Sequence, residues 1–207
     1  LGFRTSCQRK TKTGICMIIM KDNIEKSLLD SAKCIEDAVA LSEIIEYAIR
    51  EIINCLENGK KILIFGNGGS AADAQHIASE LISKFKRDRQ SLPAIALTTD
   101  TSILTSIGND FSFDDIFSRQ CESLVSEGDV VLGISTSGNS LNVKKALIES
   151  KKRKAKTIAL LGNNGGMIKE HVDIPIIVES SSTSNIQEVH RVIYHIICEF
   201  TESRFDK

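Results

Sequence analysis

A buried strand, a glycine turn and a helix follow one another without a break from Lys61 to Glu80, KILIFGNGGSAADAQHIASE, and no other stretch constrains the chain as much. Ile62 to Phe65 form an apolar run of strand length without polar alternation, the pattern of a strand covered on both faces. Gly66-Asn67-Gly68-Gly69-Ser70 then turns the chain, and the alanine-rich segment that follows consists of strong helix formers. Such a turn aims backbone N–H groups and the positive end of a helix dipole at one point, so it reads as a candidate anion cradle. His76 and Glu80, four residues apart, leave the same helix face. Singly, a glycine turn can be a plain connection and a His/Glu pair a solvated face. Together they require a partner elsewhere in the chain.

The remaining sequence repeats this rhythm. From Asp22 to about Asn58 apolar residues recur at threes and fours, with a break at Ala40 to Ser42, which predicts two helices with Ser42 as the second N-cap and Gly59 as the C-terminal cap. That much apolar helical surface ahead of the first strand predicts packing on the chain's own sheet or against another chain. Further strands are expected at Ala94 to Leu97, Asp129 to Ile134, Thr157 to Leu161 and Asp173 to Val178. Helices are expected at Thr101 to Ile107, Phe113 to Ser126, Leu141 to Lys154 and Ser184 to Ser203, with a short loop-helix at Asn164 to His171. Strands alternating with helices define an α/β fold whose parallel sheet is covered on both faces, and ligands bind such sheets beyond the carboxyl ends of the strands. Asp129 to Ile134 runs into Ser135-Thr136-Ser137-Gly138-Asn139-Ser140, so a second strand-turn-helix corner offers hydroxyls and backbone donors to an anion.

Composition narrows the partners. A net charge of −1 exerts no general pull on nucleic acid or on an anionic membrane, so neither is expected as a partner and any anion is bound locally. No run approaches the roughly 20 apolar residues of a membrane span. The six cysteines are scattered without CxxC or zinc-ribbon spacing, which points to reduced thiols and a cytoplasmic protein. Residues 1–20 are basic and then briefly apolar, without a small-residue cleavage site; they are read as a disordered or non-native leader, and residues 21–207 as a single domain with N-terminal helices.

The last helix supplies the partner that Glu80 lacks. Gln187, Glu188, His190, Tyr194 and His195 stand in it among apolar residues. A histidine in such a helix is ordinarily a core residue. Paired with Glu80 it becomes an acid facing a base, which is what aldose-ketose isomerisation of a phosphate-anchored sugar needs. The base takes the weakly acidic C–H beside the carbonyl, and the acid serves the oxygen of the resulting enediolate.

GNGGSAADAQH with Glu80, GND at Gly108 to Asp110, GISTSGNS at Gly133 to Ser140, and IQEVH continuing to His195 resemble the phosphoheptose isomerases of the sugar isomerase (SIS) family. The resemblance runs from about Asp22 to the end of the chain. It implies a flavodoxin-like α/β/α sandwich, a homotetramer with active sites shared between subunits, and conversion of sedoheptulose 7-phosphate to D-glycero-D-manno-heptose 7-phosphate for surface polysaccharides. By matching motif, Asn67, Gly68, Gly69 and Ser70 would contact substrate, Asn109 and Asp110 the sugar hydroxyls, and Ser135, Thr136, Ser137 and Ser140 mainly the phosphate, with Gln187 on the sugar. Glu80 resembles the general base and His195 the general acid. The resemblance also implies a zinc ion on His76, Glu80, Gln187 and His195, an ion whose presence would weaken the base and occupy the acid. Ser184-Asn185 departs from the Arg, and in some relatives the Asp before it, that precedes Ile-Gln-Glu. Two other readings stay open: a non-catalytic regulator resembling the DnaA initiator-associating protein, and an SIS isomerase for another phosphosugar. Glu80, Ser137 and His195 together favour the enzyme over the regulator.

Overall fold

The structure is a computed structural model that describes residues 7–206, with side chains from Met20 onward. Its centre is β1 (Ile62–Gly66), buried along its whole length. β2 (Ala94–Ala96) lies on one side of it, and β3 (Val130–Ser135), β4 (Lys156–Gly162) and β5 (Ile174–Val178) follow on the other, giving the order β2-β1-β3-β4-β5. Every pairing is parallel, with Ile62 opposite Val130 and Ile64 opposite Leu132 in the central pair. This is the flavodoxin-like order, and it makes the α/β/α sandwich expected from the sequence.

Alternation along the strands separates two cores. Ile62, Ile64, Leu132, Ile134, Ile158 and Leu160 face one helical layer, built from α2 (Ser42–Glu57), α3 (Gly69–Ile82) and α7 (Thr183–Ser203). Leu63, Phe65, Val131, Ala159 and Leu161 face the other, built from α4 (Thr101–Asp110), α5 (Ser118–Leu124) and α6 (Leu141–Lys152). Since both faces are covered, the strands read as continuous apolar runs. Cys55, Cys121 and Cys198 are buried free thiols, and burial pushes Cys121 and Cys198 up to about 12, which keeps them protonated packing residues.

The N-terminal region differs from its expected outline. α1 (Cys7–Asp37) begins before residue 20, so the helix carries no break at the expected leader boundary; residues 1–6 lie outside those described. A 3-10 turn, Ala38–Leu41, joins α1 to α2 while the backbone stays helical, so Ser42 is not an N-cap: no free helix start exists there, and its hydroxyl donates back to the Val39 carbonyl at 2.6 Å. α2 buries Ile45, Ile49, Ile52 and Leu56 on the sheet side, whereas Ile24, Leu28 and Leu29 of α1 and Val39 of the turn remain more than half exposed. The helix expected at Phe113 to Ser126 is divided into a 3-10 turn at Phe113–Asp115 and α5, because Ile116 and Phe117 both turn into the core, where Phe117 stacks on Phe65.

Two helix ends show the same chemistry with different residues. After α2, Gly59 (φ +68°) donates to the Leu56 carbonyl and Lys60 to that of Cys55; after α6, Lys154 (φ +60°) donates to Lys151 and Ala155 to Ser150. Both are left-handed caps that satisfy the last carbonyls, and both stop the helix at that point, so α6 ends at Lys152 rather than Lys154. In the second a side chain occupies a conformation that costs an L-residue roughly 1–2 kcal/mol. The Lys154–Glu127 ion pair is almost fully solvated and returns little of that. Lys154→Gly is therefore expected to raise the unfolding free energy by about 0.5–1 kcal/mol after glycine's own entropy cost, read as a higher urea midpoint at unchanged slope.

Candidate active site

The strand order reverses between β1 and β3, so the loops leaving their carboxyl ends diverge and open a crevice there. Both motif corners stand at this point. At the first, Gly66 passes so close to β3 that a Cβ would sit 2.9 Å from the Ile134 carbonyl oxygen, and Gly68 takes φ +55°. The amides of Ser70, Ala71 and Ala72 donate to the Asn67 and Gly68 carbonyls. Asn67 is tied to buried Asn142 by two reciprocal amide hydrogen bonds of 2.9 Å. Asn142, on the first turn of α6, was not anticipated; an asparagine two residues after the last serine of a hydroxyl-rich helix start was its only signal.

The second corner gathers hydroxyls. Ser135 Oγ lies 2.9 Å from Ser140 Oγ and 3.5 Å from Ser137 Oγ. Ser140 is the N-cap of α6 but its hydroxyl makes no capping bond, so it stays with its serine neighbours at the helix's positive end. Gly138 (φ +66°) packs directly on the backbone of Gly165 and Gly166, where no side chain has room. The carbonyl of Thr136 accepts from Asn163 Nδ2 at 3.0 Å. A cleft of about 840 Å³ adjoins this corner, bordered by Ser137, Asn139, Asn163, Glu179 and Ser180.

Packing of α3 against α7 brings the expected acid and base together. His76 Nε2 is 2.9 Å from Glu80 Oε1, and the His195 ring stands edge-on to His76 with centroids 5.2 Å apart. Phe85 stacks on the other side of His195 at 5.3 Å. Burial, with the neighbouring His76 imidazole, pushes His195 below the ordinary histidine value against the opposing pull of Glu80. Gln187 arrives from the same helix: its amide nitrogen is 2.5 Å from where a Cβ on Gly69 would be, so a side chain there would push the Gln187 amide aside. Asn109 and Asp110 end α4, exposed and bonded to each other at 2.7 Å; among the described residues neither bonds to Glu80 or His195. Ser184 and Asn185 join Ser182 in a hydrogen-bonded cluster that caps α7.

For a metal, the four residues have suitable donor chemistry, and two of them, His76 and Glu80, are bonded to each other. Among the described residues no three His, Cys, Asp or Glu side chains gather to hold an ion, and the nitrogen of His76 that faces Glu80 is spent on it.

Supporting residues surround this pair. Tyr194, fully buried, places its hydroxyl 3.0 Å from His76 Nδ1 and 3.3 Å from Asp73 Oδ1, and Arg191 reaches both Tyr194 and Asp73. Glu202, fully buried, accepts the amides of Phe85, Lys86 and Arg87 and lies 3.6 Å from Arg89 Nε. Arg89 in turn donates to the Glu80 carbonyl at 2.7 Å, so this buried pair locks the segment after α3 onto α7. The two histidines of α7 separate cleanly: His195 faces the site, whereas His190 is wholly buried with Nε2 donating to the Leu161 carbonyl at 3.0 Å.

The class is that of the sugar isomerase (SIS) domain, whose family model matches residues 29–162, four of the five strands of this parallel sheet among them. A phosphoheptose isomerase of Nitratiruptor sp. is 52% identical over 187 residues, 90% of this chain and the whole of the relative. One of Geobacter sulfurreducens is 56% identical over 153 residues, 74% of this chain and 81% of the relative. The solved phosphoheptose isomerase of Neisseria gonorrhoeae superimposes with a TM-score of 0.85 at 41% identity, over 89% of this chain and 99% of that one. That of Francisella tularensis gives 0.86 at 38%, over 89% and 98%. The chain belongs to the SIS family and, within it, to the phosphoheptose isomerases, a group of sugar-phosphate isomerases. Among the described residues no helix is long and apolar enough to cross a membrane.

Burial holds His190 down at about 4, below the 6.5 of a free histidine. Between those values the unfolded chain binds a proton that the folded chain refuses, so stability is complete above about pH 6.5 and falls as the pH drops toward 4, by up to about 3 kcal/mol. Urea unfolding at several pH values is expected to show this slope, and His190→Gln is expected to flatten it.

Proposed function

We propose that the protein isomerises sedoheptulose 7-phosphate to D-glycero-D-manno-heptose 7-phosphate. The observation that carries this reading is the placement of Glu80 and His195 on adjoining helices, α3 and α7, at the end of the sheet where the serine corner stands. Ser135, Thr136, Ser137 and Ser140 hold the phosphate at the N-terminus of α6. Asn67, Gly68, Gly69, Ser70 and Gln187 line the sugar, with Asn109 and Asp110 as further hydroxyl partners. Glu80 removes a proton from C1 of the ketose, and the electron pair forms the C1–C2 enediolate. His195, neutral because burial opposes its charge, hydrogen-bonds the developing oxyanion and passes a proton between O2 and O1, and Glu80 returns its proton to C2. Every atom of the substrate is retained in the product.

The exposed apolar residues of α1 support a homotetramer in which copies of this chain cover that surface and complete each other's sites. The buried, protonated thiols and the absence of a spanning helix among the described residues accord with a cytoplasmic enzyme at the first step toward ADP- or GDP-activated heptose for surface polysaccharide. Zinc on His76, Glu80, Gln187 and His195 is a separate part of the proposal. The donor set suits it, though His76 and Glu80 must give up their hydrogen bond to hold it. When bound, it would polarise sugar oxygens as a Lewis acid.

Purified protein supplied with sedoheptulose 7-phosphate is expected to form the aldose phosphate by NMR, and Glu80→Gln and His195→Asn are each expected to lower kcat by about 10²–10⁴-fold while remaining folded. A folded wild type with neither turnover nor saturable binding would reject the heptose reading in favour of another phosphosugar or a partner-binding role. Metal analysis before and after chelation decides the zinc component on its own.

A further inference from the structure

Ser140 is the N-cap of α6, yet its hydroxyl makes no capping bond. An N-cap serine ordinarily accepts from the amide of the second or third helical residue, and its replacement by alanine costs stability for that reason. The third amide, that of Val143, is already taken: it donates to Asn142 Oδ1 at 2.9 Å. Asn142 is pinned in that orientation from the first corner. Its Oδ1 also accepts from Asn67 Nδ2 at 2.9 Å, which fills both lone pairs, and its own Nδ2 donates to Asn67 Oδ1 at 2.9 Å. Asn142 is 3% exposed and Val143 fully buried, so water does not compete for these bonds. With the Val143 amide satisfied elsewhere, the Ser140 hydroxyl stands 2.9 Å from that of buried Ser135.

We propose that Asn142 is a positioning residue: it replaces Ser140 as the acceptor of the Val143 amide and so leaves the Ser140 hydroxyl to a bound phosphate. A serine that caps its own helix turns its oxygen to the helix amide. One released from that duty is free to turn its O–H to an anionic oxygen at the same helix end, where the dipole favours the charge. Asn142 touches no substrate in this scheme, and its effect passes through Ser140. Asn67, by holding the Asn142 amide in one orientation, makes the exchange depend on the first corner as well as the second. The proposal rests on the serine corner as the phosphate site, but one of its two readouts needs no ligand.

Ser140→Ala and Asn142→Leu, made singly and together in the full chain, form a cycle read in two ways: affinity for inorganic phosphate by calorimetry, and the urea midpoint. Ser140→Ala alone is expected to weaken phosphate about tenfold. Asn142→Leu is expected to do much the same, because the serine then turns to cap Val143. Added to Asn142→Leu, Ser140→Ala is expected to change the affinity by about twofold or less, but to lower the urea midpoint further than it does in the wild type. An equal fall in midpoint in both backgrounds would overturn the proposal, whether or not phosphate binds. A folded wild type that binds no phosphate would overturn it from the other side, by rejecting the corner as a phosphate site. Should Asn142→Leu not fold, amide hydrogen exchange in Ser140→Ala decides: the protection of the Val143 N–H is expected to be kept, and its loss would show that Ser140 was the cap.

Discussion

β1 and β3 pair in parallel along five positions, Ile62 with Val130 through Gly66 with Ile134, and the rest of the molecule depends on that contact. It sets the two motif corners side by side at the one place where the strand order reverses. It also forbids a side chain at Gly66, because the β3 backbone is too close. The Asn67–Asn142 amide pair then ties the two loops, 75 residues apart in sequence, across the gap. Each amide donates one hydrogen bond to the other, Asn142 Oδ1 also accepts the Val143 amide, and the link adds no charge to the crevice.

The closing helix α7 acts as the second organiser. It buries Ile186, Val189, Ile193 and Ile197 against the sheet and presents Gln187, Tyr194 and His195 toward α3. Polar groups buried along that seam are costly unless satisfied, and most of them are: Asp73 by Arg191 and Tyr194, and Glu202 by three backbone amides beside Arg89. These bonds hold α3 and the segment after it against α7, where Glu80 and His195 stand. Phe85, whose amide donates to Glu202, stacks on His195, and burial with the neighbouring His76 imidazole pushes that ring below the ordinary histidine value.

Local patterns carried most of the architecture. Unbroken apolar runs identified β1, β3, β4 and β5 within a residue or so at each end, and the i, i+4 spacing placed His76 and Glu80 on one face of α3. Departures fall where long-range contacts override local preference. Ile116 and Phe117 split a helix because both face the core, Ser42 lost its capping role to a continuous 3-10 junction, and Lys154 ended α6 in a conformation usually left to glycine. The residues around the site that were not anticipated, Asn142, Asp73, Arg191, Arg89 and Glu202, act through partners 75 to 121 residues away or through buried ion pairing, and nothing in their own neighbourhood announces that.

By itself the sequence determined the class of fold, the two corners and the candidate acid and base, because strand burial, glycine turns and helical spacing are local properties written in consecutive residues. Tertiary structure decided how the two α7 histidines are surrounded, one in the core and one beside His76. His190 and His195 sit five residues apart in the same apolar helix, and only the packing of α7 on the sheet turns one toward the Leu161 carbonyl and the other toward His76. It likewise tied the Ser70, Ala71 and Ala72 amides to the Asn67 and Gly68 carbonyls and set the Ser135 and Ser140 hydroxyls against each other at the second corner.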